Sequence, residues 1–240
     1  MKTFLVVLLG ALTLPAFGSE GQPEIHRVDL DVFDHASVRR GAEHYIHYCQ
    51  GCHSLKHLRY SRLAKDYQID DDTMKREFLL GERKMHETLL SAMRPEDAEQ
   101  WFGAPAPDLS LSARARGADW IYTYLKSFYL DPGRPTGVNN LLVNNVAMPN
   151  VLADFQGLQV PVIAHQGGME YIERLALQQP GTMSPEAFDR ALQDLMNFLV
   201  YVSEPSQLQR LKLGKYVLGF LLLLTVLLYV LKKEYWKDVH

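Results

Sequence analysis

Only two cysteines occur in 240 residues, so a disulfide-dense scaffold is excluded and no quartet of thiolates exists for a structural zinc site. Basic excess is missing as well. The 25 Lys and Arg against 28 Asp and Glu give a formal charge of −3, the wrong balance for a nucleic-acid partner. There is no G-x-S-x-G elbow, no phosphate-binding P-loop and no dinucleotide fingerprint, so nothing points to hydrolysis or group transfer. What is present, 47% hydrophobic and 22% charged residues, suits a packed protein and excludes disorder or collagen.

The apolar residues are concentrated at the two ends. Met1-Lys2, the run Phe4 to Leu14, and Ala16-Phe17-Gly18 read as a bacterial secretory leader over residues 1–18, with the mature chain starting near Ser19. The stretch Leu213 to Leu231 is long enough, at about 1.5 Å per residue, to cross a hydrocarbon core of about 30 Å. Lysines flank it on both sides, and Tyr229, Tyr235 and Trp236 suit the headgroup level. The expected organisation is a leader, an exported domain over 19–209, an anchor helix over 210–232 and a cytoplasmic tail over 233–240. That places the domain in the periplasm of a bacterial inner membrane. Split this way, the charge becomes −8 for the domain and +4 for residues 210–240, so the exported part is acidic.

Cys49-Gln50-Gly51-Cys52-His53 is the one constellation with a specific chemical meaning. Two thiols at this separation can add to the vinyl groups of a porphyrin, and the adjoining histidine can reach the iron. A redox dithiol and a plain disulfide are the rival readings of a C-x-x-C pair. Against the dithiol, no alternation of strands and helices surrounds the motif. Upstream, Asp34 or Ser37 can cap a helix whose apolar face is Val38, Ala42, Tyr45, Ile46 and Cys49. Gly41 on that helix costs stability, so it marks a close crossing with another helix. The expected partner starts at Ser184-Pro185 and carries Phe188, Leu192, Leu195, Leu199 and Val202 on one face, where core and cofactor wall coincide.

An iron that only passes electrons needs a sixth ligand, and methionine sulfur suits a high potential. Met74, Met85 and Met93 fall in an expected helix after Asp72-Thr73, and Met196 in the last helix, where filling the core is the default. Met148 sits in NNLLVNNVAMPN, where asparagine pairs and Pro149 break regular structure and free the backbone to present sulfur. Met183, just before the last helix, and Met169, after Gly167-Gly168, are the alternatives. The remaining histidines have no spaced partners of the kind that build a catalytic metal site; His44 and His47, one turn apart, read as a solvated surface.

With these residues in view, the chain resembles the cytochrome c1 family, the haem subunits of quinol:cytochrome c oxidoreductase (the bc1 complex). The resemblance covers nearly everything after the leader. It rests on RRGAEHYIHYCQGCHSL, APDLSLSARARGADWIYTYL, the AMP segment, TMSPEAFDRALQDLMNFLVYVSEP and the anchor ending LKKEYWKD. It implies one haem c held by Cys49 and Cys52, with His53 and Met148 as iron ligands and Arg116 at a propionate; Arg114 is a second candidate for that pairing. It also implies electron transfer from a Rieske iron-sulfur protein to a cytochrome c, with cytochrome b beside the anchor. The sequence departs from the family at Ala106-Pro107-Asp108-Leu109, where relatives commonly have Pro-Pro-Asp-Leu, and at Trp120, where they have a tyrosine. The expected fold is a mainly helical c-type cytochrome domain with a short loop or hairpin insertion over 150–164 and one carboxyl-terminal transmembrane helix. Two acidic groups, Asp66 with Asp70, Asp71 and Asp72, and Glu96 with Asp97 and Glu99, are candidates for steering a basic carrier.

Overall fold

The structure, a computed structural model, describes residues 23–238, so the expected leader lies outside the described residues. In chain order the elements are α1 (His35–His44), β1 (Leu55–Arg59), α2 (Tyr60–Tyr67), α3 (Asp71–Thr73), β2 (Thr88–Leu89), α4 (Pro95–Phe102), α5 (Ser112–Arg116), α6 (Ala118–Lys126), β3 (Phe128–Leu130), β4 (Val138–Asn140), α7 (Ala153–Gln156), β5 (Gly157–Gln166), β6 (Met169–Pro180), α8 (Pro185–Ser203) and α9 (Gln207–Tyr235). About half of the described residues are helical. The strands form three separate antiparallel pairs, β1 with β2, β3 with β4 and β5 with β6.

The core forms where α1 crosses α8. Asp34 caps α1 by accepting the Ser37 N–H at 3.0 Å, and Val38, Ala42, Tyr45 and Ile46 are buried along one face. Ser184 caps α8 by accepting the Ala187 N–H, Pro185 occupies the first turn, and Phe188, Leu192, Leu195, Leu199 and Val202 are all buried. Gly41 lies at the crossing. A Cβ there would strike the Asp194 carbonyl group and approach Phe198 Cβ to 2.9 Å, so only glycine lets the backbones come this close. Polar groups lock the same crossing. Asp194 accepts from Ser37 Oγ at 2.6 Å and from Arg40 Nε at 2.6 Å, while Asn197 donates to Ser37 Oγ and accepts the Asp31 N–H, both at 2.8 Å.

Two helices differ from the sequence expectation. The last turn of the first helix, Tyr45–Cys49, is π-helical, closed by the Gln50 N–H on the Tyr45 carbonyl at 2.8 Å. The expected helix carrying Met74, Met85 and Met93 ends as a π-helical turn over Met74–Phe78; Met85 and Met93 lie in turns beyond it. The segment between is too rich in Gly81 and charged residues to continue an apolar stripe.

A hairpin runs past the end of the expected 150–164 segment. β5 and β6 pair over Gly157–Pro180, turning at Gly167 and Gly168, whose φ angles of 61° and 83° are those of a tight hairpin turn. Nearly all of β6 is solvent-exposed, so no buried face leaves an alternation to be read in the sequence. At the carboxyl end, α9 has 29 residues, none buried, about 43 Å of helix of which the apolar stretch Leu213–Leu231 makes up about 28 Å. Thr225, the hydroxyl inside its apolar stretch, donates to the Leu221 carbonyl at 2.8 Å and so carries no unpaired polar hydrogen into lipid.

Candidate functional site

The end of the first helix delivers the motif. The Cys49 carbonyl accepts both the Cys52 N–H at 3.1 Å and the His53 N–H at 2.8 Å, so residues 49 to 53 make one helical turn. At spacings of three and four, Cys49, Cys52 and His53 share one face of that turn. The loop is pinned from several sides. Tyr45 Oη donates to the His53 carbonyl at 2.6 Å, Gln50 Nε2 donates to Tyr60 Oη at 2.6 Å, and Ser91 Oγ donates to the Gly51 carbonyl at 2.9 Å. His53 Nδ1 lies 2.8 Å from the carbonyl oxygen of Pro107. Donation there fixes the tautomer and leaves Nε2 with its lone pair for a metal.

Burial lowers the His53 pKa, against the opposing Pro107 hydrogen bond and Asp108 charge, so the imidazole stays neutral, the ligating form. Burial pushes the Cys49 thiol up to about 12, with Cys52 adding to the shift, and raises Cys52 as well. A redox dithiol requires the opposite, a nucleophile stabilised as thiolate. Neither cysteine is in a disulfide.

The motif opens onto a two-lobed cleft with cavity volumes of about 230 and 300 Å³. Cys49, His53, Pro107, Tyr124 and Met148 line both lobes, which makes them one continuous apolar space of cofactor size. One lobe is closed by Phe102, Ala104, Pro105 and Val151, the other by Trp120, Leu195 and Leu199. Met148 reaches the cleft from an irregular segment after β4, as its asparagine-rich context suggested. The first asparagine pair, however, belongs to β4 itself. Asn139 and Asn140 are buried, and their side-chain oxygens accept the N–H groups of Asn145 and Leu142 at 3.0 and 2.9 Å, giving the loop the hydrogen bonds it lacks as irregular backbone.

These residues fit a c-type haem: two free thiols and a histidine on one face, a thioether lining the same cleft, and apolar walls on either side. Among the described residues no three His, Cys, Asp or Glu side chains converge as a bare metal site. Arg116 lines the cleft and lies over the Trp120 ring at 5.1 Å. Arg114 pairs with Glu204 at 3.4 Å and lines neither lobe. Of the other methionines, Met183 packs against the core without lining either lobe, Met169 is exposed on β6, and Met93 is on the cleft wall.

Two contributors carried no local signal in the sequence: the Pro107 carbonyl, a backbone atom far from the motif, and Tyr124, whose hydroxyl donates to Met148 Sδ at 3.5 Å. The acidic groups also change. Asp66 is half-buried, pairing with Arg62 and accepting Tyr201 Oη at 3.0 Å; Asp70 caps α3; Asp97 pairs with Arg94. Asp71, Asp72, Glu96 and Glu99 remain exposed.

Comparison with known proteins agrees with this site. The Cytochrome C1 family model matches residues 26–239. The chain is 46% identical to cytochrome c1 of Allochromatium vinosum over all of this chain and 98% of that protein. It is 39% identical to a protein of Nitrosomonas europaea named ammonia monooxygenase gamma subunit, with both chains covered in full. It is 26% identical to cytochrome c1 of Rhodobacter capsulatus over 98% of this chain and 97% of that one. A match this extended, on a chain whose one thiol pair and histidine face a cofactor-sized cleft, means that the chain belongs to the cytochrome c1 family.

Proposed function

We propose that Cys49 and Cys52 hold a single haem c as thioethers, that His53 and Met148 are its iron ligands, and that Arg116 pairs with a propionate. The observation that carries this reading is the single turn presenting Cys49, Cys52 and His53, with the imidazole held by Pro107, to a cleft that Met148 also lines. As a member of the family the chain is a haem electron-transfer subunit of the bc1 complex. Bound in this cleft, the haem supplies one-electron redox chemistry at the iron.

The protein supplies ligation, burial and docking. The Pro107 carbonyl orients His53 and raises its basicity as a ligand. Phe102, Pro105, Trp120, Leu195 and Leu199 wall the cleft with apolar surface that keeps water from the haem. Arg116 offers a permanently charged fork suited to a carboxylate. In this reading the electron arrives from a Rieske iron-sulfur protein and leaves to a cytochrome c, and α9 anchors the chain beside cytochrome b. The domain faces the periplasm, after removal of residues 1–18, and the tail after α9 faces the cytoplasm.

Haem staining of a denaturing gel, followed by mass analysis of the peptide holding residues 49–53, tests the attachment. The expected result is a stained band and a peptide carrying one haem. An unstained band whose two thiols are both alkylated after reduction would sink the reading.

A further inference from the structure

We infer that the Tyr124 hydroxyl is a positioning group for the Met148 sulfur, holding the thioether by a donated hydrogen bond and raising the reduction potential of the centre. The inference rests on Met148 as the iron ligand. Tyr124 Oη lies 3.5 Å from Met148 Sδ, within the range for a sulfur acceptor, and both residues line both lobes of the cleft.

The hydroxyl has little freedom to be elsewhere. The Tyr124 ring stacks on Trp120, one turn earlier on α6, at 5.3 Å and an interplanar angle of 7°, and meets Phe128 edge-on at 5.2 Å. A phenol is a neutral O–H donor at physiological pH. The same residue holds the loop at a second point, because its carbonyl accepts Asn140 Nδ2 at 2.8 Å. Tyr124 therefore grips the segment 140–148 at both ends, by backbone at Asn140 and by side chain at Met148. A thioether on an irregular loop, with three rotatable bonds, otherwise has little to fix its lone pairs.

The electronic consequence follows from charge. A hydrogen bond draws electron density from the sulfur and makes it a poorer donor to iron, and the ferric state loses more from this than the ferrous state. The ferrous form is favoured and the potential rises. The expected preference for the ferrous state is roughly three- to tenfold, ~30–60 mV for a one-electron couple.

The test is Tyr124→Phe in the intact membrane complex, which keeps the ring and its stacking. It should retain the haem and the methionine-to-iron charge-transfer band while its midpoint potential falls by that amount; an unchanged or higher potential overturns the inference. In the unaltered ferric protein, pulsed hyperfine spectroscopy in heavy water should show an exchangeable deuteron coupled through the sulfur. Its absence overturns the inference even if the variant does not fold. Met148→Leu, measured alongside, separates the two levels: if it loses the band while Tyr124→Phe keeps its potential, the ligand stands and the tyrosine role falls, whereas a retained band removes the ligand assignment and the inference with it.

Discussion

Gly41→Ala probes the helix crossing from which the haem motif hangs. The new methyl carbon would strike the Asp194 carbonyl and lie 2.9 Å from Phe198 Cβ, where ordinary contact begins near 3.4 Å. The obstacle is mostly backbone in the middle of α8, so no side chain can swing aside, and the helices must part by a sizeable fraction of an ångström or more. Overpacking of this sort costs about 1–3 kcal/mol. Parting the helices also stretches the Ser37, Asp194 and Asn197 hydrogen bonds, at about 1 kcal/mol each. Alanine returns about 1 kcal/mol of helix propensity. The net loss is about 2–4 kcal/mol, which for a domain of this size lowers Tm by roughly 4–16 °C. Thermal unfolding followed by far-ultraviolet circular dichroism, with the haem absorption recorded in parallel, measures it. A Tm that held steady or rose would mean that propensity outweighs packing and that α1 and α8 do not cross at Gly41.

Two other outcomes follow from the charges. Asp108, beside the Pro107 carbonyl, accepts the Lys56 N–H at 3.0 Å and the Ser110 N–H at 2.9 Å. Burial alone would raise its pKa, but the hydrogen bonds from Ser110 and Lys56 outweigh burial and hold it below the ordinary value. Its contribution is therefore complete above the ordinary carboxylate pKa and is lost as pH falls through the lower, folded value. Asp108→Asn should destabilise the protein at neutral pH and flatten the acid limb of Tm against pH; an unchanged limb would exclude Asp108 as its source. Asp71, Asp72, Glu96 and Glu99 are exposed acids in residues 19–209, whose formal charge is −8, so electron exchange with a basic cytochrome c should slow as salt rises. A rate independent of ionic strength would remove steering from the mechanism.

What the sequence disclosed was local or periodic. Cys49, Cys52 and His53 are a contiguous chemical signature, and the stripes on α1 and α8 recur every three or four residues, although residues 194–199 of α8 are buried all round. Gly41 was legible because a glycine in a helix has a cost that close approach explains. What it withheld depends on partners distant in the chain. Asp66 reads as a surface acid until Arg62 and Tyr201 fold around it, and the Pro107 carbonyl has no side chain to announce it. The π-helical turn at Tyr45–Cys49 has no compositional mark. The β5 and β6 hairpin extends past Ala164 on main-chain pairing, which side-chain pattern does not encode along the largely exposed β6.

The axial ligand is the point on which the site stands or falls, and three methionines competed for it in the sequence. Met148→Leu and Met183→Leu, each purified with its haem attached, can be compared by the methionine-to-iron charge-transfer band of the ferric protein. Because Met148 lines both lobes beside His53 while Met183 packs in the core outside them, the band should vanish, and the potential fall, in Met148→Leu alone. A band that survived in Met148→Leu and disappeared in Met183→Leu would contradict the proposed ligation.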